Sequence, residues 1–330
     1  MKKDPTVPVY LITGFLDSGK TNFLKYTLAE PYFNDGSRSL LLMCEDGEEE
    51  YDAALLKKTK TSLVKVEKEE ELTREFFEVC QKHYLPDRVL IEFNGMWDIP
   101  KFLALPLPKF WTMYQIITIA DGANFALYLQ NIKMPAMTML TNTDMVIFNR
   151  CKADTDLVQL KRAFRSVNPK GDLVFEDERG NEVECPEPDL PYSVDNEDIE
   201  ISDENWGTFY IDLNAHPERY INHRIHFLMQ IMQNKKFPAN MFIAGRRAMT
   251  CCVQDIRFLP YIFIYDKAKT LAQSSWADIT ATMKWEFHEG YKEEGPVFYV
   301  NQLVKTSQPK EDLITFNGPD GPQTGKREET

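Results

Sequence analysis

The sequence predicts an α/β fold, a mostly parallel sheet flanked by helices, with a smaller α+β domain on its C-terminal side. Three observations lead there. Short apolar runs alternate with amphipathic segments from Val7 to about Glu176. A glycine-bearing turn, Gly14 to Thr21, joins the first run to the first helical segment. An acidic, proline-containing stretch, Glu176 to Glu204, then ends the alternation, and a different pattern follows.

The elements follow in order. Val7–Thr13 reads as a buried strand, and Lys20–Ala29 as a helix carrying Phe23, Leu24 and Leu28. Ser39–Cys44 is a second apolar run and leads into the acidic stretch Glu45–Glu50. Glu70–His83 is amphipathic and precedes a strand over Asp87–Glu92. Tyr114–Ala120 and Met145–Phe148 read as strands, and Thr155–Val167 as a helix. Beyond the break, Trp206–Asp212 resembles a strand and Pro217–Gln233 an amphipathic helix, through Tyr220, Ile221, Ile225, Leu228, Ile231 and Met232. Met241–Ile243, Ala248–Val253, Tyr261–Tyr265, Trp276–Glu286 and Pro296–Val304 read as strands. The expected organisation is a first domain over 1–176, an acidic linker or long loop over 177–205, a small α+β domain over 206–306, and a disordered tail over 307–330.

The chain has 330 residues, 43% hydrophobic and 27% charged, with a net charge of −13. That length buries one or two ordinary cores. The acidic balance argues against nonspecific nucleic-acid binding and against an anionic membrane surface. No apolar run approaches the ~18 residues of a membrane span. Without an apolar leader after Met1, a cytoplasmic location is the expectation. The six cysteines (Cys44, Cys80, Cys151, Cys185, Cys251, Cys252) are too dispersed for a disulfide framework.

Gly14-Phe-Leu-Asp17-Ser18-Gly19-Lys20-Thr21 satisfies GxxxxGK[ST]. In that pattern backbone N–H groups curl around phosphate oxygens, the lysine reaches the terminal phosphates and the Thr hydroxyl ligates Mg²⁺. The position between a strand and a helix, whose positive dipole end adds to the cradle, makes this a P-loop NTPase fold. Asn22 opens the helix beside the loop. A P-loop protein also needs an acidic group at a neighbouring strand end, and Glu92 is placed for it. Gly95 then lets a backbone N–H approach the γ-phosphate. Solvent-facing roles for these residues are the bland alternative.

On these residues the sequence resembles a known family. The loop is close to the GFLGSGKT form of the CobW-like proteins, which share a P-loop GTPase family with the urease and hydrogenase nickel-insertion GTPases. Cys44-Glu45-Asp-Gly47-Glu48 with Asp52 is similar to the acidic switch segment, and Ile91 to Pro100 to the family's I-E-x-x-G-x-x-D-P. Ile119-Ala-Asp121 matches its strand ending in Asp, and Val167-Asn168-Pro169 follows its next helix. Asn149 and Arg150 sit where the family reads its base. The resemblance covers about residues 7 to 176 and implies GTP hydrolysis coupled to delivery or insertion of Zn²⁺ or Co²⁺. It also implies a metalloprotein client or metal-transport partner and a homodimer across the nucleotide face. Two departures stand out. The thiolate motif CxCC, expected near residues 65–75, is replaced by Leu63–Glu71 without a cysteine. In the NKxD base motif Lys152 takes the Asp position, with Asp154 two residues later, so ATP stays open beside GTP.

Soft-metal candidates are Cys44 with Glu45 and Glu48, and the pair Cys251-Cys252 near Asp255. Each cysteine has the alternative of a small buried hydrophobe, and adjacent residues of a strand face opposite ways. Gly245–Ile256 resembles an element in partner proteins of a metal-linked bacterial permease. His223 and His226, three apart, share one face of the expected helix, where such pairs bind zinc or form a polar stripe. Arg246-Arg247 suits an acidic partner, a nucleotide or a solvated turn. The acidic runs 45–50, 67–71 and 195–204 read first as solvated faces and second as metal-collecting surfaces. The leading reading is an NTPase switch. A nucleotide- or metal-responsive scaffold without turnover and a small-molecule kinase are its alternatives.

Overall fold

The computed structural model describes residues 6–45, 47, 49–249 and 256–316. The chain divides into two units, Met1–Pro186 and Glu187–Thr330.

The first unit runs β1 (Val7–Thr13), α1 (Lys20–Ala29), β2 (Ser39–Met43), α2 (Ala53–Lys58), β3 (Thr61–Lys65), α3 (Arg74–Tyr84), β4 (Arg88–Glu92), α4 (Ile99–Leu103) and β5 (Trp111–Asp121). It continues with α5 (Phe125–Asn131), α6 (Lys133–Thr141), β6 (Met145–Cys151), α7 (Leu157–Val167) and β7 (Asp172–Asp177). All seven strands are parallel, in the order β3-β2-β4-β1-β5-β6-β7. β2 and β4 are buried at every residue, which is why they appear in the sequence as unbroken apolar runs. Side-chain caps set the starts of the helices on the outer edges: Asp52, Thr73, Asp98 and Asp156 accept from Ala54, Phe76, Lys101 and Gln159. β3 carries no alternation and was not expected. A 3₁₀ turn over Glu69–Glu71 follows it, where the family motif would place thiolates.

The second unit contains β8 (Asp198–Ile201), α8 (Trp206–Ala215), β9 (Arg224–Met232), β10 (Met241–Met249), β11 (Ile256–Ile264), β12 (Trp276–His288), β13 (Glu293–Thr306) and β14 (Leu313–Thr315). The sheet order is β14-β10-β11-β13-β12-β9-β8, and β10 also pairs with β9. That extra pairing closes β9, β10, β11, β13 and β12 into a barrel. Its ladders are antiparallel except β11–β13, which is parallel. Counting from β9, the order around the barrel is first, second, third, fifth, fourth, the Greek-key connectivity of an OB-type barrel. Ile225, Phe227, Met229 and Ile231 of β9, Phe242 and Ala244 of β10 and Phe263 of β11 fill it. Trp206, Phe209 and Leu213 of α8 join the same core.

Several expectations are corrected here. Pro217–Gln233 is not a helix: a 3₁₀ turn covers Pro217–Arg219 and β9 follows. The inward residues of β9 recur every second position, and the outward Leu228 and Met232 supplied the false helical spacing. Trp206–Asp212 is helical, not extended; its buried Trp206, Phe209 and Leu213 recur at three and four. The stretch expected as a linker to 205 holds β8, paired in parallel with β9. In the tail expected to lack structure, β14 pairs with β10, and Ile314 and Phe316 are buried.

Candidate functional site

The sheet gathers polar side chains at the carboxyl ends of its strands, where open α/β sheets take their ligands. Gly19 holds φ +101° as the loop turns into α1, a left-handed conformation that favours glycine. A Cβ on Gly95 would lie 2.4 Å from the Gly14 carbonyl oxygen. The segment after β4 therefore packs backbone to backbone on the loop, and only glycine permits that approach.

Lys20 is buried, and its Nζ donates to the Gly14 and Phe15 carbonyls at 2.8 and 2.9 Å. It also meets Glu45 Oε2 at 2.6 Å, with the carboxylate only 11% exposed. Thr21 Oγ1 donates to Glu92 Oε1 at 2.5 Å, and the Tyr51 hydroxyl donates to Glu92 Oε2 at 2.7 Å. Burial first, then the Glu92 charge, drive the Tyr51 hydroxyl well above its usual pKa, so it remains a donor. Asn149 Nδ2 donates to the Ser18 carbonyl at 2.8 Å and Arg150 Nη1 to the Asp17 carbonyl at 2.7 Å. These two side chains brace the loop from β6. Asn149 Oδ1 and Ser18 Oγ are buried without hydrogen-bond partners.

A cavity of about 200 Å³ opens here, lined by Asp17, Gly19, Lys20, Thr21, Asn22, Glu45, Glu49, Glu92 and Arg150, with Leu16 and Gly47. A second, of about 440 Å³, adjoins it through Leu16 and Glu45 and reaches Met43, Cys44, Lys65, Val66, Glu67 and Asn94. The donor set suits a nucleotide with Mg²⁺. A lysine and the loop residues Asp17 and Gly19 line the cavity. A hydroxyl is polarised by a carboxylate, and a side chain at Gly19 would meet Asn149 Nδ2 at 2.9 Å. The sequence thus placed Gly14, Asp17, Ser18, Gly19, Lys20, Thr21, Asn22, Glu92, Gly95, Asn149 and Arg150 in one region, and the fold brings them together.

Sequence reasoning missed Tyr51 and Glu49. Glu49 pairs with Lys25 at 2.6 Å, so the run 45–50 is not simply a solvated face. The available signal was an aromatic residue among carboxylates, directly before the helix-capping Asp52.

The metal candidates fare differently. Cys44 is buried, and desolvation, then Glu92, Glu45 and Glu71, push its thiol far above the usual range. Its neighbour Glu45 is paired with Lys20. Among the described residues no three His, Cys, Asp or Glu side chains gather as a metal site. Glu48, Cys251, Cys252 and Asp255 lie outside the described residues. The histidine pair of the expected helix is undone. His223 lies before β9, with Nδ1 2.9 Å from the Asn196 carbonyl. His226 projects from β9 between Glu200, 2.6 Å away, and Asp278. Arg246 is fully buried, bonded to Asp203 and to the Leu228 and Glu311 carbonyls, whereas Arg247 is exposed beside Asp312. Among the described residues no helix is long and apolar enough to cross a membrane.

Comparison with known proteins places these features. Residues 184–314 match the family described as the DUF1980 C-terminal domain. No curated protein matches the chain. Among solved structures, the chain is similar to the hydrogenase maturation factor HypB from Archaeoglobus fulgidus, at 15% identity, covering 54% of this chain and 84% of that one, TM-score 0.40. It is also similar to Zn(II)-bound YjiA GTPase from E. coli, at 16% identity, 80% and 90% coverage, TM-score 0.41. HypB from Helicobacter pylori in complex with nickel is similar at 14% identity, 53% and 80% coverage, TM-score 0.37. Residues 8–175 match the family described as CobW/HypB/UreG, nucleotide-binding domain, and the chain belongs to that family.

Proposed function

We propose that the chain is a nucleoside-triphosphatase switch, acting on GTP with ATP as the alternative, and coupled to delivery of a transition metal such as Zn²⁺ or Co²⁺. The observation that carries this reading is the pairing of Thr21 with Glu92 beside the buried Lys20. Lys20 and the loop amides hold the terminal phosphates once Glu45 yields the lysine. Thr21 and Glu92 would hold Mg²⁺, which supplies charge neutralisation on the β- and γ-phosphates. Glu92 acts as acceptor for the Thr21 proton, leaving the hydroxyl oxygen free for the cation. Gly95, packed against Gly14, carries any change at the γ-phosphate into the β4–α4 segment. Catalysis of this kind is positioning and charge stabilisation. Asn149 and Arg150 keep the loop in shape and border the base, with Lys152 where an acidic base reader would stand.

The metal function rests on the family and on Cys251-Cys252, with a metalloprotein client or transport partner as receiver. A cytoplasmic location and a homodimer belong to the same reading. Phosphate release from GTP and ATP, with and without Zn²⁺, tests it alongside metal content of the wild type and of Cys251→Ser/Cys252→Ser. Turnover that Lys20→Ala abolishes, and bound metal that the double serine variant loses, are the expected results. Full hydrolysis by Lys20→Ala would sink the assignment. The Lys20–Glu45 ion pair favours one second reading, a nucleotide-responsive scaffold. It expects labelled nucleotide to bind without phosphate release.

A further inference from the structure

The acidic segment between β2 and α2 places one neutral aromatic among its carboxylates. Tyr51 is 9% exposed, and its ring lies in the core with Leu24, Leu28 and Leu41. Its hydroxyl and that of Thr21 divide the two oxygens of Glu92, one each. Glu92 is itself only 2% exposed, so no solvent bond replaces either donor.

We propose that Tyr51 is a positioning residue for the cation-binding pair, holding the Glu92 carboxylate so that Oε1 stays on Thr21. This rests on the reading of the cavity as a nucleotide–Mg²⁺ site. The terminal torsion of a glutamate is broad, so a carboxylate held at one oxygen swings and a carboxylate held at both does not. Thr21 sits on α1 and Tyr51 on the segment whose Glu45 and Glu49 line the same cavity. The Tyr51 bond therefore ties the docking of that segment to the orientation of Glu92. Without the Tyr51 bond, Glu92 keeps Thr21 as its one anchor. A lone packing role would tie nothing to the cation.

The test is Tyr51→Phe, which keeps the ring and removes only the hydroxyl. Binding of a fluorescent GTP analogue is followed while Mg²⁺ is titrated. The half-saturating Mg²⁺ concentration is expected to rise about tenfold, as for a hydrogen bond to a charged group. Nucleotide affinity at saturating Mg²⁺ is expected to stay unchanged, while thermal stability without nucleotide is expected to fall by no more than the loss of one buried hydrogen bond. In a Glu92→Gln background the same Tyr51→Phe change is expected to have a much smaller effect, because the charged acceptor is gone. An unchanged Mg²⁺ requirement in Tyr51→Phe overturns the proposal, and so does an equal shift in the Glu92→Gln background. A wild type that binds no nucleotide in excess Mg²⁺ overturns the site reading itself and the proposal with it. The two failures are distinguished by the wild-type titration. If Tyr51→Phe folds poorly, Tyr51→Met fills the pocket with a flexible apolar chain that carries no donor and serves the same comparison.

Discussion

The two units bury their strands in different ways, and their polar clusters serve different ends. In the parallel sheet, β2 and β4 are buried at all positions, and their interiors are wholly apolar. Glu92 is the last residue of β4, and Asp121 the last of β5. In the barrel, β9 alternates between core and surface along its length, and polar groups are distributed through the structure. Arg246 lies in the interior, and His226 spans three strands on the outside. A sheet covered on both faces leaves its ends as the place for chemistry. A barrel with one inner face uses charges to hold itself together.

That contrast can be broken or sharpened by substitution. The largest expected effect is Asp203→Ala, which leaves the fully buried Arg246 guanidinium without its carboxylate. It should cost about 3 kcal/mol, at the low end for a broken buried pair because Asp203 is partly exposed. Hydrogen exchange read segment by segment should lose protection in β9–β13. Exchange as slow as in the wild type would show the pair to be dispensable. Gly95→Ala comes next. Its Cβ meets loop backbone at 2.4 Å, so the strain should cost ~2 kcal/mol and displace the P-loop, with nucleotide binding lost. Retention of wild-type binding would separate Gly95 from the site.

Much of the first unit was legible because short, fully buried strands between turn residues have few other readings. β3 escaped because only Thr61 is buried, Ser62 to Val64 are half buried and Lys65 is exposed. The barrel resisted for two physical reasons. Ile225, Leu228, Ile231 and Met232 recur at helical spacing while the strand alternates, so two periods coexist in one segment. Trp206, Phe209 and Tyr210 are aromatics of high strand preference that the barrel core nonetheless holds on a helix. Within the site, the motif residues were readable from the loop pattern, since phosphate binding by backbone demands that spacing. Tyr51 was not, because its partner lies 41 positions away and its local mark, an aromatic among carboxylates, does not point to Glu92.

Smaller effects sharpen the comparison further. Thr73→Ala removes the cap of α3 and should cost about 1 kcal/mol in the first unit, measured by urea unfolding. No change in the unfolding midpoint would place the cap outside the stabilising set. The smallest effect is a pH dependence in the second unit. Burial works against the charge on His226, but the Glu200 hydrogen bond and the Asp278 carboxylate outweigh it and raise its pKa. A raised folded value makes its contribution full below about pH 6.5 and lost as pH rises through the folded value. Being one-third exposed, the site should contribute only a fraction of a kcal/mol. His226→Gln should flatten that part of the stability–pH curve, and an unaltered curve would remove His226 from it.

The proposed phosphate site lies at the ends of the parallel strands, around Lys20 and the Thr21–Glu92 pair. Calorimetric titration of Mg²⁺–GTP into the wild type and into Lys20→Ala tests it most directly. Binding to the wild type and a loss of about a hundredfold or more in the variant are expected. Equal binding by the two proteins would contradict it.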